Sequence, residues 1–446
     1  MPCFRSLLVL ALLAPAAAAA QTAGAANGLA GAVDAYVAPL RALDIFSGVV
    51  LVARGDSILF QQAYGMADRE HGIAMTTGSV FRTASLTKSF TRALAGRLAE
   101  RGALQLDAPI RRWLPDFPGA DSITVRLLLD HRAGVPNVNS LPHDEEAVGP
   151  NTLAKLVDSL ARMPLDFAPG SARRYSNGGY AVVTRILELA GGGDYGALLR
   201  EHILTPVGLT QTRDEPDAEI VPGRARGYAP SPVAFGRSVH APFQEMATKT
   251  GGGSLLSTAG DLHRWALALG RHPVLQPATW ADLVPQRDPV ALTGRAPGYN
   301  AALLRYGDLT AIVLLNNYAA GMTYDVARAL IELAAGRTPA PLPVSAPRAP
   351  DPATASAVRG AYHLPAEYLQ LDGITAVEIR QVDDHLVALL GEVPVDVLVP
   401  QGGRSFLLRS LWSVATFEPP VEGKSPGVQL RPLYRDGTYR AARIDR

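Results

Sequence analysis

The sequence almost lacks cysteine and has little lysine, and both scarcities narrow its chemistry. Its single cysteine, Cys3, lies close to the start of a chain of 446 residues. Beyond that position the chain can form no internal disulfide, use no thiol nucleophile and offer no thiolate to a metal. Only four of the 42 basic residues are lysines (Lys88, Lys155, Lys249 and Lys424), so arginine supplies nearly all the positive charge.

An excess of charge of either sign is also lacking. The 42 basic residues are balanced by 41 acidic ones, and neither sign forms a long run. This balance argues against nucleic acid or an anionic membrane surface as the main partner. Hydrophobic residues make up 48% of the chain and charged residues 19%, which is typical of a globular protein. The length predicts two or three domains.

The first twenty residues have the order of a secretory signal peptide. Arg5 precedes an apolar run over 7–13, and small residues lead to a candidate cleavage point at Ala20/Gln21. The alternative is a membrane anchor, for which the apolar run is short. We therefore predict a signal peptide at 1–20, a periplasmic or secreted protein, and no stable membrane span after cleavage. The sequence does not indicate an oligomeric state.

A proline-rich segment divides the rest of the chain. Residues 337–352 contain six prolines and predict an extended, semi-rigid linker. Before it we predict one large domain at 28–336. After it the hydrophobic period changes to two, which predicts a small all-β domain at 353–446 without a catalytic cluster.

Periodicity predicts the main elements of the large domain. Residues 46–64 predict a β-hairpin, and residues 84–101 predict a helix because apolar residues recur every four positions before Gly102. Strands that flank a helical region suggest one sheet assembled from distant segments. Further helices are predicted at 152–162, 178–190, 195–203, 258–269 and 324–335, and further strands at 299–306 and 309–316.

The scarcity of lysine makes Ser85-Leu86-Thr87-Lys88 the first candidate for catalysis. An arginine stays protonated in a protein, whereas a lysine amine can shift its pKa and act as a base. With 21 serines and four lysines in the chain, chance predicts roughly 0.2 matches to Ser-x-x-Lys. The pattern is therefore suggestive without being proof.

Ser85 and Lys88 are three residues apart on the predicted helix, so their side chains share one face. A serine hydroxyl needs an adjacent base to become a good nucleophile, and a desolvated lysine can serve as one. In the first helical turn, unpaired N–H groups and the helix dipole would favour an oxyanion beside the hydroxyl. The alternative is an N-cap serine followed by a surface lysine, and these residues alone do not decide between the two.

A second candidate cluster, Tyr175-Ser176-Asn177, precedes an apolar helix. A buried tyrosine can relay protons, and an asparagine amide can hold both a catalytic lysine and a substrate carbonyl. In isolation the same residues also fit a polar loop with an aromatic plug.

Together with the segments around them, these clusters resemble the β-lactamase-like serine hydrolases, which include class C β-lactamases, D-alanyl-D-alanine carboxypeptidases and related esterases and D-aminopeptidases. The similar segments are the nucleophile helix at 81–91, the stretch at 102–118, a Leu-Leu-x-His-x-x-Gly-like loop at 127–136 and a Gly-Gly-x-x-Ser-Thr-like segment at 251–262. The resemblance spans about 46–335. It implies an α+β fold in which an antiparallel sheet flanked by helices adjoins an all-helical lobe, with the small all-β domain outside it.

The resemblance also implies a role for each member of the two clusters. Ser85 would be the acylated nucleophile, its backbone N–H would form half of an oxyanion hole, and Lys88 would activate its hydroxyl. Tyr175 would pass the proton to the leaving group, and Asn177 would position Lys88 and the substrate. Such catalysis needs no cofactor, because water or another nucleophile releases the acyl group. The expected partner is a small-molecule or peptide substrate.

The chain departs from the family pattern at the third motif, which is Lys-Thr-Gly or His-x-Gly on a strand facing the serine. Here the sequence reads Leu292-Thr293-Gly294, after a short stretch that lacks the expected aromatic-glycine strand. We expect these three residues to bind substrate without the charge that normally pairs with a substrate carboxylate. Lys249-Thr250-Gly251 is a literal Lys-Thr-Gly, but it precedes a helix, and we interpret it as a coincidence.

The sequence predicts no metal site. The nine histidines are scattered without the spacing of a ligand set. His131 and His263 are interpreted as structural residues of a loop and a helix. The three glycines at 191–193 are interpreted as the end of a helix.

The leading hypothesis is a secreted serine hydrolase that cleaves an ester or amide through Ser85. An esterase or D-amino-acid peptidase is favoured over a true β-lactamase, because penicillins carry a carboxylate for which Leu292 offers no charge. The alternative, which the altered third motif motivates, is a catalytically impaired protein of the same fold with a binding or regulatory role.

Overall fold

The computed structural model describes residues 14–138, 152–215, 219–271, 273–284, 289–318, 321–346, 348–365, 368, 375–433 and 436–444. The start of the predicted signal peptide, residues 1–13, lies outside the described residues, so the signal peptide stays a prediction. Within the described ranges, no helix has both the length and the apolar character needed to span a membrane.

Most of the helices lie between residues 84 and 334. The α-helices of the described ranges are α1 (Ala14–Ala42), α2 (Thr87–Glu100), α3 (Val125–Leu129), α4 (Leu153–Leu160), α5 (Asn177–Gly191), α6 (Tyr195–Leu199), α7 (Thr205–Val207), α8 (Ala259–Arg271), α9 (Pro277–Leu283), α10 (Met322–Ala334) and α11 (Pro352–Val358). All the predicted helices are present, but two differ in form. The one at 84–101 begins with a 3-10 turn, and the one at 195–203 continues from α6 into a π-helical turn at Arg200–Leu204.

Strands lie at both ends of this region and throughout the C-terminal part. They are β1 (Gly48–Arg54), β2 (Ser57–Tyr64), β3 (Met66–Asp68), β4 (Ile73–Ala74), β5 (Phe81–Arg82), β6 (Arg213–Asp214), β7 (Tyr228–Pro230), β8 (Ser238–His240), β9 (Leu255–Ser257), β10 (Val290–Ala296), β11 (Tyr299–Tyr306), β12 (Leu309–Leu315), β13 (Gly360–His363), β14 (Ala376–Val382), β15 (His385–Leu390), β16 (Val393–Gly402), β17 (Ser405–Leu408), β18 (Ser413–Phe417), β19 (Gly427–Pro432) and β20 (Tyr439–Arg443). Those predicted at 46–64, 299–306 and 309–316 are confirmed.

One antiparallel sheet of five strands, in the order β10-β11-β12-β1-β2, forms the centre of the large domain. β1 pairs with β12 along its whole length, with Gly48 opposite Leu315 and Arg54 opposite Leu309. The two strands come from opposite ends of the domain, which confirms the prediction of a sheet assembled from distant segments. β10 is an edge strand, so one of its sides is open to a ligand.

The sheet separates two hydrophobic cores, because successive side chains of a strand point to opposite faces. On β1, Val50 and Val52 pack in one core with α1 and α10. Val49 and Leu51 pack in the other with α2 and α8. Helix α1 was not predicted, and the predicted domain start at residue 28 lies inside it. Its alanine-rich sequence has high helix propensity, and Val33 and Val37 bury its far end against the sheet.

Helices α3 to α6 pack with α2 into a helical lobe beside the sheet. Helix α5 is its centre, and Tyr180, Val183 and Ile186 on this helix are fully buried or nearly so. The sheet, its flanking helices and the lobe make up the predicted α+β fold. Helix α2 lies between the sheet and the lobe, so side chains from both can contact its first turn.

The C-terminal part is a closed barrel of eight antiparallel strands, β13 to β20 in sequence order. The predicted all-β domain is therefore confirmed in type, although it begins with helix α11. Ala355 and Val358 of that helix pack in the core of the barrel. Closure removes the unpaired strand edges that an open sheet of this size would expose.

The barrel is fixed to the large domain by buried polar contacts. Trp412 is fully buried and donates its indole N–H to Asp325 of α10 at 2.7 Å. Arg409, also fully buried, donates to the carbonyl oxygen of Ser231 at 2.6 Å and forms an ion pair with Asp396 of β16 at 3.3 Å. Its guanidinium also lies over the ring of Phe235. Burial raises the pKa of Asp325, so loss of the indole partner would leave a poorly solvated carboxyl group.

Candidate active site

Ser85 lies in the 3-10 turn Ala84–Leu86, immediately before α2, and not within the α-helix as predicted. Ala84 has a φ of 47°, a left-handed conformation that is unfavourable for a residue with a side chain. The turn is held by β9, since Thr83 N donates to Leu255 O at 2.8 Å and Leu255 N donates to Thr87 Oγ1 at 3.1 Å. This strained but well-fixed turn presents the Ser85 hydroxyl at the start of α2.

Lys88 lies one turn further on and is buried, with 8% of its surface exposed. Its Nζ contacts three oxygens: Ser85 Oγ at 3.2 Å, Asn177 Oδ1 at 2.8 Å and the carbonyl of Gly252 at 2.5 Å. Burial lowers the pKa of Lys88 from 10.5 to about 7. The amine is therefore neutral in a large share of molecules near neutral pH, as a general base must be.

Tyr175 approaches the same hydroxyl from the helical lobe. Its Oη lies 2.7 Å from Ser85 Oγ, and Lys88 Nζ lies 4.9 Å from the centre of its ring. The residue is 46% exposed, which corrects the expectation of a buried tyrosine. Desolvation of the hydroxyl end nevertheless raises its pKa, while the hydrogen bond to Ser85 and the charge of Arg295 act in the opposite direction. The hydroxyl is thus protonated at neutral pH and bonded to the nucleophile.

Asn177 is the first residue of α5, and the cap of this helix fixes its position. The Ser176 hydroxyl accepts from Gly179 N at 2.9 Å, as an N-cap side chain does. Asn177 N donates to Asn137 Oδ1 at 3.3 Å. The side chain of Asn177 is thereby left to accept from Lys88, and the four predicted residues lie in one hydrogen-bonded cluster.

His131 belongs to this cluster, although the sequence suggested only a loop residue. Its ring lies 4.6 Å from that of Tyr175 and 5.2 Å from that of Tyr180, and its Nδ1 accepts from Ser176 N at 3.2 Å. Burial, with a smaller effect of the Lys88 charge, lowers its pKa to about 4. Its φ of 59° is left-handed. A neutral His131 therefore supports the Tyr175 ring and the start of α5.

The third motif lies on edge strand β10, facing the nucleophile. A Cβ on Gly294 would come within 2.1 Å of Thr83 O and 3.0 Å of Ser85 N, so glycine is required at this position. Leu292 is partly buried and packs against the core, whereas Thr293 is exposed. The strand is therefore present despite the short stretch before it, and it carries an apolar residue at the position of the usual cation.

Two other cations lie near the site. Arg295 is exposed on β10 next to Gly294, and its charge acts on Tyr175. Lys249 ends a 3-10 turn at Met246–Lys249; its pKa is lowered by burial and, to a lesser extent, by the charge of Lys88. The segment after Lys249 supplies the Gly252 carbonyl to Lys88. The literal Lys-Thr-Gly thus lies off the central sheet, as expected, but adjoins the site. Only its rare lysine could have signalled this.

One group of side chains in the described ranges has the spacing of a metal site, namely Asp68, Glu70 and His71. It consists of partly buried or exposed residues that already form ion pairs with one another or with Arg226 and His240. It contains none of the candidate catalytic residues. His263 on α8 donates its Nε2–H to the carbonyl oxygen of Gly55 at 2.9 Å, which is a structural role.

This geometry can support acyl transfer. A serine hydroxyl lies within hydrogen-bonding distance of a buried amine and a phenol, and the amine is oriented by an amide and a carbonyl. The site is thus of the serine hydrolase class, with lysine and tyrosine in place of histidine.

The comparisons agree with this class. The profile of the beta-lactamase family matches residues 33–338, more than half of the chain, and the protein belongs to this family of serine hydrolases. It is 28% identical over 410 residues to penicillin-binding protein 4* of Bacillus subtilis strain 168, covering 82% of this chain and 88% of that one. It is 31% identical over 325 residues to esterase EstB of Burkholderia gladioli, covering 65% and 81%. The fold resembles that of the D-amino acid amidase of Ochrobactrum anthropi SV3, with a TM-score of 0.58, 23% identity and coverage of 69% and 98%.

Proposed function

We propose that the protein is a secreted or periplasmic serine hydrolase that cleaves an ester or amide through an acyl-enzyme on Ser85. One observation carries the proposal: Ser85 Oγ is bonded at once to Lys88 Nζ at 3.2 Å and to Tyr175 Oη at 2.7 Å. A structural N-cap serine with a surface lysine would not require a buried amine. The two sequence relatives support the proposal: the penicillin-binding protein favours amide chemistry, and the esterase favours ester chemistry.

The first step is attack on the substrate carbonyl. Neutral Lys88 accepts the Ser85 proton while Oγ forms a bond to the carbonyl carbon, and the negative charge moves to the carbonyl oxygen. The backbone N–H of Ser85, at the start of α2, supplies one donor to that oxygen. Asn177 and the Gly252 carbonyl hold the amine, which becomes a charged group with two acceptors already in place.

The second step is expulsion of the leaving group. Tyr175 lies between the nucleophile and solvent, and it can pass a proton to the leaving oxygen or nitrogen while it regains one from Lys88. His131 restricts the Tyr175 ring by packing against it in a tilted arrangement, with the two ring centres 4.6 Å apart. Water then attacks the ester carbonyl on Ser85. The same groups take a proton from the water and return one to Ser85 Oγ as the ester bond breaks, and the step needs no cofactor.

For the substrate we favour a neutral ester or a D-amino-acid amide over a β-lactam. Leu292 packs against the core and offers no charge to a substrate carboxylate. Penicillins require such a partner for the acid group beside the scissile bond. Arg295 places a positive charge on the same strand at a different position, so an acid group further from the reacting carbonyl remains compatible with the site.

Labelling with two reagents tests this proposal. The purified protein is treated with a fluorophosphonate and with a fluorescent penicillin, and the modified residue is identified by peptide mass spectrometry. We expect a fluorophosphonate adduct on Ser85 and little penicillin labelling. Ser85→Ala should abolish labelling, and Ser159→Ala, which removes an exposed serine from α4, should not.

The second candidate is a binding or regulatory protein with little turnover, and the apolar third motif favours it. A folded protein that reacts with neither reagent would support this candidate and overturn the hydrolase proposal. Rapid labelling by penicillin, with slow release, would instead contradict the role assigned to Leu292.

A further inference from the structure

The interior of the C-terminal barrel contains a cavity of about 190 Å³. Its walls are mostly inward side chains of the strands, among them Ile379, Ala388, Leu398, Leu408, Ala415 and Phe417. An eight-stranded barrel has an interior that side chains either fill or leave open for one small ligand. Protein interiors are normally packed with few voids larger than a water molecule, so an empty cavity of this size is unusual.

Two alanines create the space. Ala388 on β15 and Ala415 on β18 both point into the barrel core, where they are almost fully buried. The inward neighbours along the same strands are larger: Leu386 precedes Ala388, and Phe417 follows Ala415. Atoms lining an empty cavity lose their packing partners on one side. The barrel would therefore gain stability from an occupant of matching shape.

The chemistry of the walls limits the occupant to an uncharged molecule. The only ionisable carboxylate among the lining residues is that of Asp396. One of its oxygens is paired with Arg409 Nε at 3.3 Å and the other accepts from Ser410 N at 2.6 Å. Since this charge is already neutralised, the cavity offers a ligand ion no unpaired partner, and burying such an ion would be costly.

We propose that the barrel binds one small, uncharged, apolar molecule in this cavity, of the size of a single aromatic ring with a short substituent. An apolar cavity of about 150 Å³ in another protein stays dry and binds benzene, and the cavity here is somewhat larger. This site is separate from Ser85 and does not depend on the proposed hydrolase activity. It gives the C-terminal domain a binding role of its own.

Toluene and benzoate test the proposal, because they share a ring and differ by a charge. We expect toluene to raise the melting temperature of the full-length protein by about 1–2 °C at ten times its Kd. Benzoate at pH 7.5 should give no shift. Absence of a toluene shift up to its solubility, or an equal shift with benzoate, would overturn the proposal.

A filled cavity supplies the matched variant. Ala388→Leu adds apolar volume to the wall of the cavity and should abolish the toluene shift, whereas Ala353→Leu, at an exposed position of α11, should preserve it. If both variants respond equally, the ligand binds elsewhere and the proposal fails. Fluorophosphonate labelling of Ser85, measured on the same samples, should be unchanged in both, which keeps this test independent of the hydrolase.

Xenon provides a readout that does not depend on a variant that folds. Crystals of the wild-type protein under xenon pressure should show a bound atom among Ala388, Ala415 and Phe417, because xenon enters dry apolar cavities. Filling of this space by ordered water alone would contradict the apolar character assigned to it. So would an empty barrel at saturating pressure.

Discussion

Replacement of Lys88 by arginine tests whether this residue acts as a general base or only as a structural positive charge. Arginine keeps the positive charge but remains protonated at every accessible pH. The guanidinium group is also larger than the amine, and there is little room for it because Asn177 Oδ1 and Gly252 O lie within 3 Å of the wild-type Nζ. We expect acylation of Ser85 to slow by about 10²- to 10⁴-fold, the usual effect of removing a general base.

The pH dependence of the wild-type rate gives the magnitude expected from the structure. With a pKa of about 7, Lys88 is neutral in about 9% of molecules at pH 6, half at pH 7 and about 91% at pH 8. Acylation should therefore rise about fivefold from pH 6 to 7 and less than twofold from pH 7 to 8. With its ordinary pKa the same lysine would be neutral in only about 0.03% of molecules at pH 7.

Stability should respond to pH with a definite sign. The unfolded chain protonates Lys88 at pH values up to about 10.4, whereas the folded protein releases the proton near pH 7. Between these values the unfolded state binds more protons, so this residue makes the free energy of unfolding increase with pH. The full shift corresponds to at most about 5 kcal/mol. Lys88→Met should remove this contribution, and it should stabilise the protein most below pH 7.

Stopped-flow measurement of fluorophosphonate labelling between pH 5.5 and 9 checks the rate predictions, and chemical denaturation at the same pH values checks the stability. Lys424→Arg, at an exposed position of the barrel, is the matched control and should behave as wild type. A flat wild-type profile between pH 6 and 8, or near-normal acylation in Lys88→Arg, would refute the role of Lys88 as the base.

Three further predictions concern the surroundings of the nucleophile. Gly294→Ala should reduce acylation by at least tenfold, because the new Cβ would displace the Ser85 turn. A Cβ on Gly260 would make only an ordinary contact with Thr258 Oγ1 at 3.9 Å, so Gly260→Ala should be neutral in the same labelling assay. His131→Phe keeps an aromatic ring but leaves Ser176 N without its acceptor. We expect the free energy of unfolding, measured in denaturant, to fall by about 1–3 kcal/mol and kcat to decrease. Unchanged values would contradict the supporting role of His131. Arg295→Gln should raise KM for an acidic ester and leave that of its neutral analogue unchanged, and an equal effect on both would rule out charge recognition.

Much of the fold could be predicted from periodicity, because the elements concerned bury one face. Leu94 and Leu98 mark the buried side of α2, and strand β12 reads as a continuous apolar run because it is buried on both faces. Helix α1 was missed since an alanine-rich stretch fits a signal peptide and a helix equally well. Order along the chain also suggested the central sheet, but its register depends on pairing across more than two hundred residues.

The sequence indicated four residues of the candidate site, two from spacing along one helix and two, Tyr175 and Asn177, from the family resemblance. The pair Ser85 and Lys88 follows from helical geometry. The contacts of Lys88 with Gly252 and of His131 with Tyr175 join segments that are far apart in sequence, and no local pattern encodes them. The left-handed backbone at Ala84 was equally hidden, because nothing in an alanine signals a positive φ.

The indole of Trp412 has a consequence for how the chain can be divided. Cutting the protein at the proline-rich linker would expose the apolar face of α10 and strip Asp325 of its buried partner. In the intact chain the two domains should therefore unfold in one cooperative transition. An N-terminal fragment without the barrel should aggregate. If this domain were joined to another C-terminal module, the new module would have to replace the buried contacts that Trp412 and Arg409 make with the large domain. The interface, and not the linker, therefore determines which modules can be exchanged.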